Sequence, residues 1–313
     1  MGKKRKTKAA PAAPTRTYGK VALSADETLH RLWERGLRID DRPSNLRTLR
    51  SIGHFRLLIY MRRFQNPATK GFWPRTRFSD IVELYDFDRR LRSVTMDAIE
   101  RIEVALRAAL SNPLAIDHGS HWYVERDRFG DLPTYARVLN QITQECEAKK
   151  GLALTHYYQT YARPELPPVW LMCERLSLGA LSRVFGALSM RDRKIAGRHI
   201  WPEIPDALLV GWLQSWTDLR NACAHHSRLW GMKLTVSQPA KPIGRGLARY
   251  ASEMALPDTF YARATMMKAL LDPLGYGDEW REALRITLTG CDHVEPLAHL
   301  GFPAGWHLMP AWQ

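Results

Sequence analysis

Several residue types and patterns are scarce in this sequence, and each shortage excludes a class of protein. The 313 residues include only four cysteines, which stand far apart and form no Cys-x-x-Cys pair, so a disulfide scaffold is not expected. No apolar run approaches the roughly 18 to 20 residues that a membrane span needs, and the N-terminus lacks the apolar segment of a secretory signal. These absences predict a soluble, cytoplasmic protein with free, mostly buried thiols and no membrane partner.

The signature motifs of common enzyme classes are also missing. The sequence has no Gly-x-Gly-x-x-Gly or Walker loop, no serine nucleophile elbow and no His-Glu-x-x-His helix. His118, His121 and His225 do not have the spacing of metal ligands. Glu100 and Glu103 lack the Glu-x-x-His partner of a di-iron bundle. We therefore predict no metal site and no cofactor.

Acidic residues are too few to balance the basic ones. The chain has 46 lysines and arginines against 32 acidic residues, which gives a net charge of +14. Residues 1–20 hold seven of the basic residues and no acidic one, so 39 basic residues face 32 acidic ones in 21–313. We predict that 1–20 is a disordered basic tail, either an RNA-steering arm or a solubilising segment. The remaining excess favours an anionic partner.

Hydrophobic spacing predicts an all-α protein with one plausible strand, at 233–236. Apolar residues make up 45% of the chain, which supports a sizeable core, and most of them recur at helical spacing. A capping box at Ser24 opens the first helix, and Asn112-Pro113 is expected to end the longest one. The C-terminal segment 301–312 is predicted to be an extended strap held by Phe302, Trp306 and Trp312. Helices are predicted at about 24–35, 43–64 with a break at Gly53, 78–110, 133–149, 154–162, 168–188, 190–200, 204–214, 258–271 and 278–288. The helix at 204–214 is expected to carry a cluster of polar residues at its far end.

Basic and aromatic residues alternate in the loop at 65–77. Lys70, Trp73 and Arg75 are the clearest members of this pattern. Such a loop can stack bases and bind phosphates, or its aromatic residues can pack onto the helices as a plug. The sequence leaves both interpretations open.

Candidate catalytic residues are concentrated between Arg220 and His226. This stretch holds a guanidinium, the Asn221 carboxamide and two imidazoles. On a helix, Asn221 lies roughly 40° from His225 and Arg220 roughly 140° from it, so they can bind one phosphate if the helix bends or ends near Ala224. Imidazoles transfer protons near neutral pH and guanidinium binds phosphoryl oxygens, a combination that can cut RNA without a metal. In the alternative interpretation, Arg220 caps helix carbonyls and the histidines are ordinary surface residues.

A longer segment around these residues resembles a known family. The run Arg-Asn-x-Cys-Ala-His-His-Ser-Arg-Leu-Trp, at 220–230, is similar to the signature of the abortive-infection Abi family of the AbiD/AbiF type, whose core looks like a HEPN ribonuclease domain with an Arg-x4-His motif. One departure is Gly231, where the family pattern leads us to expect asparagine, so no side-chain role is expected there. The similarity spans about residues 24 to 313. Other blocks that resemble the family begin at Leu49, Leu84, Ala98, His118, Glu174 and Gly301.

The resemblance implies a HEPN-like helical core at 78–256 that carries the Arg-x4-His motif. It places an N-terminal helical extension at 21–77 and C-terminal helices with a docking strap at 257–313. It also implies a metal-independent endoribonuclease of anti-phage abortive infection or of a toxin–antitoxin system. In such an enzyme, two protomers pair so that both copies of the motif line one cleft, and the chain would be a homodimer.

The resemblance also assigns roles to individual residues. His225 would be the general acid or base, Arg220 the phosphate clamp and Asn221 an orienting donor, with a 2′,3′-cyclic phosphate and a 5′-hydroxyl as products. Spacing leaves open which of His225 and His226 does the chemistry. An alternative function is a non-catalytic regulator that holds a small non-coding RNA through the same motif. Further candidate RNA contacts are His226, Arg228, Arg107, Lys70, Trp73 and Arg75.

Overall fold

The computed structural model describes residues 17–19, 21–148, 151–234, 245–291 and 296–313. This part of the chain contains fourteen α-helices, short 3-10 turns and isolated β-bridges, with no strand. The predicted all-α fold is therefore confirmed. Apart from 17–19, the predicted basic tail lies outside the described residues. None of the described helices combines the length and the apolar character required to cross a membrane.

Contacts between Cα atoms divide the chain into two units, Met1–Val82 and Glu83–Gln313. In the first unit, α1 (Ala25–Glu34) begins at Ser24. The Ser24 hydroxyl accepts the Glu27 N–H at 3.2 Å, and the Glu27 carboxylate accepts the Ser24 N–H at 2.8 Å. The predicted capping box is thus confirmed, because each residue satisfies a backbone donor of the other.

The remaining helices that lie wholly within the first unit are α2 (Arg42–Ser51) and α3 (His54–Met61). They are separated at Gly53, as predicted. Gly53 has a φ of +85°, which glycine adopts without the steric cost that a Cβ brings. The core of this unit is apolar and includes Leu29, Leu32, Leu49, Leu57, Met61, Phe72 and Phe78.

The longest helix is α4 (Phe78–His118), which begins in the first unit and is about 60 Å long. The expected stop at Asn112-Pro113 is wrong, because Pro113 lies inside this helix. A proline removes one helical hydrogen bond, but Leu110 and Leu114 on either side are fully buried, and their packing keeps the chain helical. The helix ends instead before Gly119, whose φ is +88°.

Five helices separate α4 from the motif helix. The single helix expected at 168–188 is wrong, since the structure has two helices there. The break falls at Ser177, whose hydroxyl accepts the Ala180 N–H at 3.4 Å and so starts a new helix. The five helices are α5 (Leu132–Ala148), α6 (Leu152–Thr160), α7 (Val169–Arg175), α8 (Leu178–Ala187) and α9 (Met190–Ile200).

The motif helix is α10 (Asp206–Ala224), and it packs antiparallel to α8. A Cβ built on Gly179 would lie 3.1 Å from Thr217 Cγ2, and one built on Gly186 would lie 3.5 Å from Val210 Cγ1. The small residues of α8 therefore allow close approach of α10.

Four helices follow the motif: α11 (Ala248–Ala251), α12 (Phe260–Leu271), α13 (Gly277–Leu288) and α14 (Pro296–Leu300). The Trp280 indole N–H donates to the Val94 carbonyl at 2.8 Å, which joins α13 to α4. Phe302, Trp306 and Trp312 are buried as predicted. The extended conformation expected for this segment is wrong, because Trp306–Leu308 and Pro310–Trp312 form 3-10 turns, and local bonds such as that from the Met309 N–H to the Trp306 carbonyl at 3.1 Å satisfy the backbone there.

The strand expected at 233–236 is absent from its described half, Lys233 and Leu234. The Leu234 N–H donates to the Asp258 carbonyl at 2.8 Å, and the Leu234 carbonyl accepts from Arg263 at 2.9 Å. These bonds satisfy the Leu234 backbone without a neighbouring strand. Residues 235–236 lie outside the described part of the chain.

Candidate active site

The candidate catalytic residues lie at the C-terminal end of α10. Arg220 is half-buried and Asn221 is exposed there. The apolar spacing that predicted this helix therefore also decides on which side its polar residues emerge. The opposite face is buried and includes Leu209, Trp212, Leu213, Trp216, Leu219 and Cys223.

The helix ends at the motif itself, which the phosphate-binding hypothesis requires. The His226 N–H donates to the Cys223 carbonyl at 2.9 Å. The Ser227 N–H donates to the Ala222 carbonyl at 2.8 Å, which completes a Schellman cap. His226 occupies the left-handed position of this cap, with a φ of +56°, where glycine is usual. Because backbone N–H groups satisfy these carbonyls, the cap does not depend on Arg220.

Arg220, Asn221 and His225 share this helix end. Arg220 Nη1 donates to Asn221 Oδ1 at 3.4 Å, and the His225 N–H donates to the Asn221 carbonyl at 2.9 Å. The His225 and His226 side chains are both exposed. A helix C-terminus carries the negative end of the helix dipole, which favours a cation there. A guanidinium, a carboxamide and two imidazoles therefore lie at one helix end, and their joint binding of a phosphate stays a prediction.

A buried ion pair on α4 holds the loop that follows the two histidines. Asp88 is fully buried, and its Oδ1 accepts the N–H groups of Leu229 at 3.0 Å and Trp230 at 2.6 Å. Its other carboxylate oxygen pairs with Arg92, whose guanidinium also donates to the Ser227 carbonyl at 3.4 Å. Hydrogen bonds to charged groups are about twice as strong as neutral ones, so this clamp fixes the backbone beside the motif.

Sequence reasoning missed this clamp, because charged side chains on a long amphipathic helix are ordinarily expected on its solvent-facing side. A signal was nevertheless present in the helical spacing. Asp88 follows Leu84 by four residues and precedes Leu91 by three, so it lies within the apolar stripe. A charged pair four residues apart within such a stripe indicates a buried ion pair.

Cys223 lies beneath the motif and is a structural residue. Burial raises the pKa of its thiol to about 12, although the charge of nearby Arg92 acts in the opposite direction. A thiol of this kind is not ionised at neutral pH and so is not a nucleophile. All four cysteines lie in the described part of the chain, where they are buried and form no disulfide, as predicted.

Two other predicted RNA contacts lie in the second unit. Arg228 is half-buried, and its Nε has no hydrogen-bond partner within the described chain. Arg107 pairs with Glu103 at 2.6 Å and donates to the carbonyls of Cys173 at 3.1 Å and Leu176 at 3.2 Å. Its guanidinium therefore ties α4 to the end of α7, and its contact with RNA stays a prediction.

The predicted basic and aromatic loop lies in the first unit. Lys70, Trp73 and Arg75 are all exposed, whereas Phe72 beside them is buried. Lys70 and Arg75 have φ values of +62° and +70°, in the left-handed region that side chains other than glycine rarely occupy. The loop thus combines a buried aromatic anchor with exposed groups of the kind that contact nucleic acid.

His118 and His121, which lie outside the motif, have protein partners. His118 Nε2 lies 2.9 Å from an Asp192 carboxylate oxygen, and His121 Nε2 lies 3.0 Å from the Leu166 carbonyl. Within the described residues, no group of three or more histidine, cysteine, aspartate or glutamate side chains could hold a metal ion.

Comparison with known proteins relates this region to a family. Residues 47–231 match the family model described as Abi-like protein, which covers more than half of the 313-residue chain. The matched range contains both the Asp88–Arg92 clamp and the motif at 220–230. No curated protein and no solved structure matches the chain.

Proposed function

The chain belongs to the Abi-like protein family, whose name points to abortive infection or defence, and from this premise we propose that it is a metal-independent endoribonuclease of the HEPN type. It would act against phage by abortive infection or within a toxin–antitoxin system. The observation that carries the proposal is the exposed end of α10, where Arg220 contacts Asn221 and the helix stops at His225.

The chemistry needs only a proton acceptor, a proton donor and a positive charge. The ribose 2′-oxygen attacks the adjacent phosphorus while its proton passes to an imidazole. The bond from phosphorus to the 5′-oxygen then breaks, and that oxygen takes up a proton. These steps give a 2′,3′-cyclic phosphate and a 5′-hydroxyl. Arg220 balances the charge that develops on the phosphoryl oxygens, and Asn221 orients the phosphate or His225.

One imidazole cannot accept one proton and deliver another at the same moment. Cleavage by His225 therefore requires a second proton-transfer group at the same phosphate. A second copy of the chain, related by a two-fold axis, supplies another His225 and another Arg220 to the cleft. The proposed enzyme is accordingly a homodimer.

Charge and shape support RNA as the partner. The chain carries a net charge of +14, and an excess of seven positive charges remains in 21–313 after the tail is set aside. Asn221, His225 and His226 are exposed at a helix end, so a single-stranded RNA can contact them directly.

The test is RNA cleavage by the full chain in the presence of EDTA. Purified protein is incubated with labelled single-stranded RNA, and the termini of the products are identified. Arg220→Ala and His225→Ala are each expected to reduce the rate by about 10²-fold to 10⁴-fold, the usual size of acid–base and charge-stabilisation effects. Light scattering of the same sample measures whether two chains associate.

The matched controls are Arg198→Ala and His199→Ala. Both residues are exposed on α9, so they remove the same side chains from another surface of the same unit. Cleavage should be unchanged in these two variants. If Arg220→Ala and His225→Ala cut RNA as fast as the controls, the proposed mechanism is wrong. RNA that is bound but stays intact would instead support the non-catalytic regulator.

A further inference from the structure

A cavity of about 270 Å³ lies directly beside the motif. One wall is formed by α10, and the others are formed by the segment Met232–Leu234 and by Arg263 of α12. Asn221 lines it as well, so the cavity and the candidate catalytic edge share a residue. Its volume is slightly below the range of about 300 to 1,000 Å³ found for pockets of drug-sized ligands, which suits a single ring system.

Two polar atoms of this cavity have no partner within the described chain. They are Oγ of Ser215, a residue with 0% exposure, and Oδ2 of Asp218. More than nine in ten buried polar groups of folded proteins are hydrogen-bonded, because an unpaired one destabilises the fold. Two unpaired atoms on one wall therefore indicate a site that a polar ligand completes.

Positive charge also lines the cavity, and the Asp218 carboxylate interacts electrostatically with Arg263. Arg263 is buried and is held in place by the carbonyls of Pro257 at 2.6 Å and Leu234 at 2.9 Å. Lys233 is exposed at the rim. The ligand should thus present hydrogen-bond donors to the carboxylate and acceptors to the cations. The other surfaces are largely apolar and come from Leu219, Ala222, Met232 and Leu234.

The cavity is also in register with the motif along α10. Asp218, Asn221 and His225 follow one another at spacings of three and four residues, so they lie on one stripe of the helix. Seven residues of helix place Asp218 about 10 Å from His225 along the axis. A nucleotide whose base occupies the cavity can therefore extend its sugar and phosphate past Asn221 toward His225.

We propose that this cavity binds a guanine base and makes guanine the preferred nucleotide beside the phosphate that the motif contacts. Guanine has two adjacent donors, N1–H and the N2 amino group, which match the Asp218 carboxylate, and its O6 and N7 acceptors match Lys233. Adenine, cytosine and uracil lack that pair of adjacent donors. The placement of the RNA rests on the proposed function, whereas base binding itself does not.

The test measures nucleotide binding by the full-length protein, and mononucleotides are used because they contain no 3′–5′ linkage that could be cleaved. Guanosine 5′-monophosphate is titrated by calorimetry and compared with the adenosine, cytidine and uridine monophosphates. The guanine nucleotide should bind about tenfold more tightly or better, the discrimination that a bidentate base contact gives. Asp218→Asn should abolish this preference, and Asp117→Asn, at an exposed position on α4, should leave it unchanged.

Ser215→Ala gives an independent readout. Removing an unpaired buried hydroxyl should raise the thermal midpoint of the free protein and also weaken guanosine monophosphate binding. Equal affinity for the four nucleotides, or a preference that survives Asp218→Asn, overturns the proposal, as does a lower midpoint for Ser215→Ala. If the unmodified protein binds the four nucleotides equally but still cleaves RNA through His225, only the proposed base site is refuted. If the unmodified protein prefers guanosine monophosphate but does not cleave RNA, only the proposed nuclease function is refuted.

Discussion

Replacement of Asp88 by asparagine tests whether the buried clamp on α4 stabilises the motif. Asparagine keeps the size of the side chain and one oxygen for the N–H groups of Leu229 and Trp230, but it removes the charge that faces Arg92. The Arg92 side chain is only 7% exposed, so water cannot compensate for the lost partner. Removing one member of a buried pair typically costs about 3 to 5 kcal/mol, and we expect the free energy of unfolding to fall by roughly this amount.

The matched control is Asp86→Asn, two residues earlier on the same helix. Asp86 pairs with Arg89 at 3.4 Å, but these side chains are 43% and 58% exposed, and such surface pairs are worth about 0.2 to 1 kcal/mol. Urea unfolding followed by both tryptophan fluorescence and circular dichroism gives the two free energies and shows whether a single transition applies. A difference of less than about 0.5 kcal/mol between the two variants would refute the clamp, since it lies within the spread of surface substitutions.

A double variant separates the two contributions to this cost. Asp88→Leu with Arg92→Met removes both buried charges, so no uncompensated charge remains. It still leaves the Leu229 and Trp230 N–H groups without their acceptor, at about 1 to 3 kcal/mol for each buried donor. The double variant should therefore be less stable than the unmodified chain, and the size of the loss measures how much the carboxylate contributes by holding the loop.

Three further predictions concern the motif helix and the buried thiols. His226→Gly should leave stability unchanged or raise it by up to about 1 kcal/mol, because φ is +56° there, and a lower thermal midpoint would contradict this. Gly211→Ala should stabilise α10 by about 0.5 to 1 kcal/mol, since no atom lies within 4 Å of the added Cβ. Gly179→Leu should destabilise the α8–α10 contact by roughly 1 to 3 kcal/mol, because a Cβ there already lies 3.1 Å from Thr217 Cγ2. The thermal midpoints of the two variants measure both effects. The urea midpoint should fall as the pH rises above 9.0, because burial raises the pKa of Cys173 and Cys223 to about 12 while unfolded thiols ionise from about 9.0. Replacing both thiols with alanine should flatten that fall.

The sequence predicts those parts of the fold that local chemistry decides. Ser24 starts α1 through bonds to residues three positions away, and Gly53 separates two helices through its own backbone freedom. Pro113 shows the limit, because packing around Leu110 and Leu114 overrides its effect on the helix. Local rules cannot include that packing, which depends on residues distant in sequence.

The same distinction applies to the candidate site. Arg220, Asn221 and His225 are visible in one short stretch because a single helix end carries them. The clamp is not visible in this way, since Asp88 lies 141 positions before Leu229, whose N–H it accepts. The cavity beside Asn221 depends similarly on Arg263, which belongs to another helix. Residues that perform the proposed chemistry are local, whereas those that hold them in place are brought together only by the tertiary fold.

The two neighbouring histidines raise the question of whether the active site is formed by one chain or by two. The proposed cleavage needs two proton transfers, and His226 is an exposed imidazole next to His225 in the same chain. If His226 supplied the second transfer, one chain would suffice and His226→Gly would abolish cutting. If a second copy supplies it, His226→Gly should keep its activity, and the rate per chain should fall when dilution separates the dimer. Cleavage by the His226→Gly protein at several concentrations therefore decides between an active site within one chain and a composite site between two.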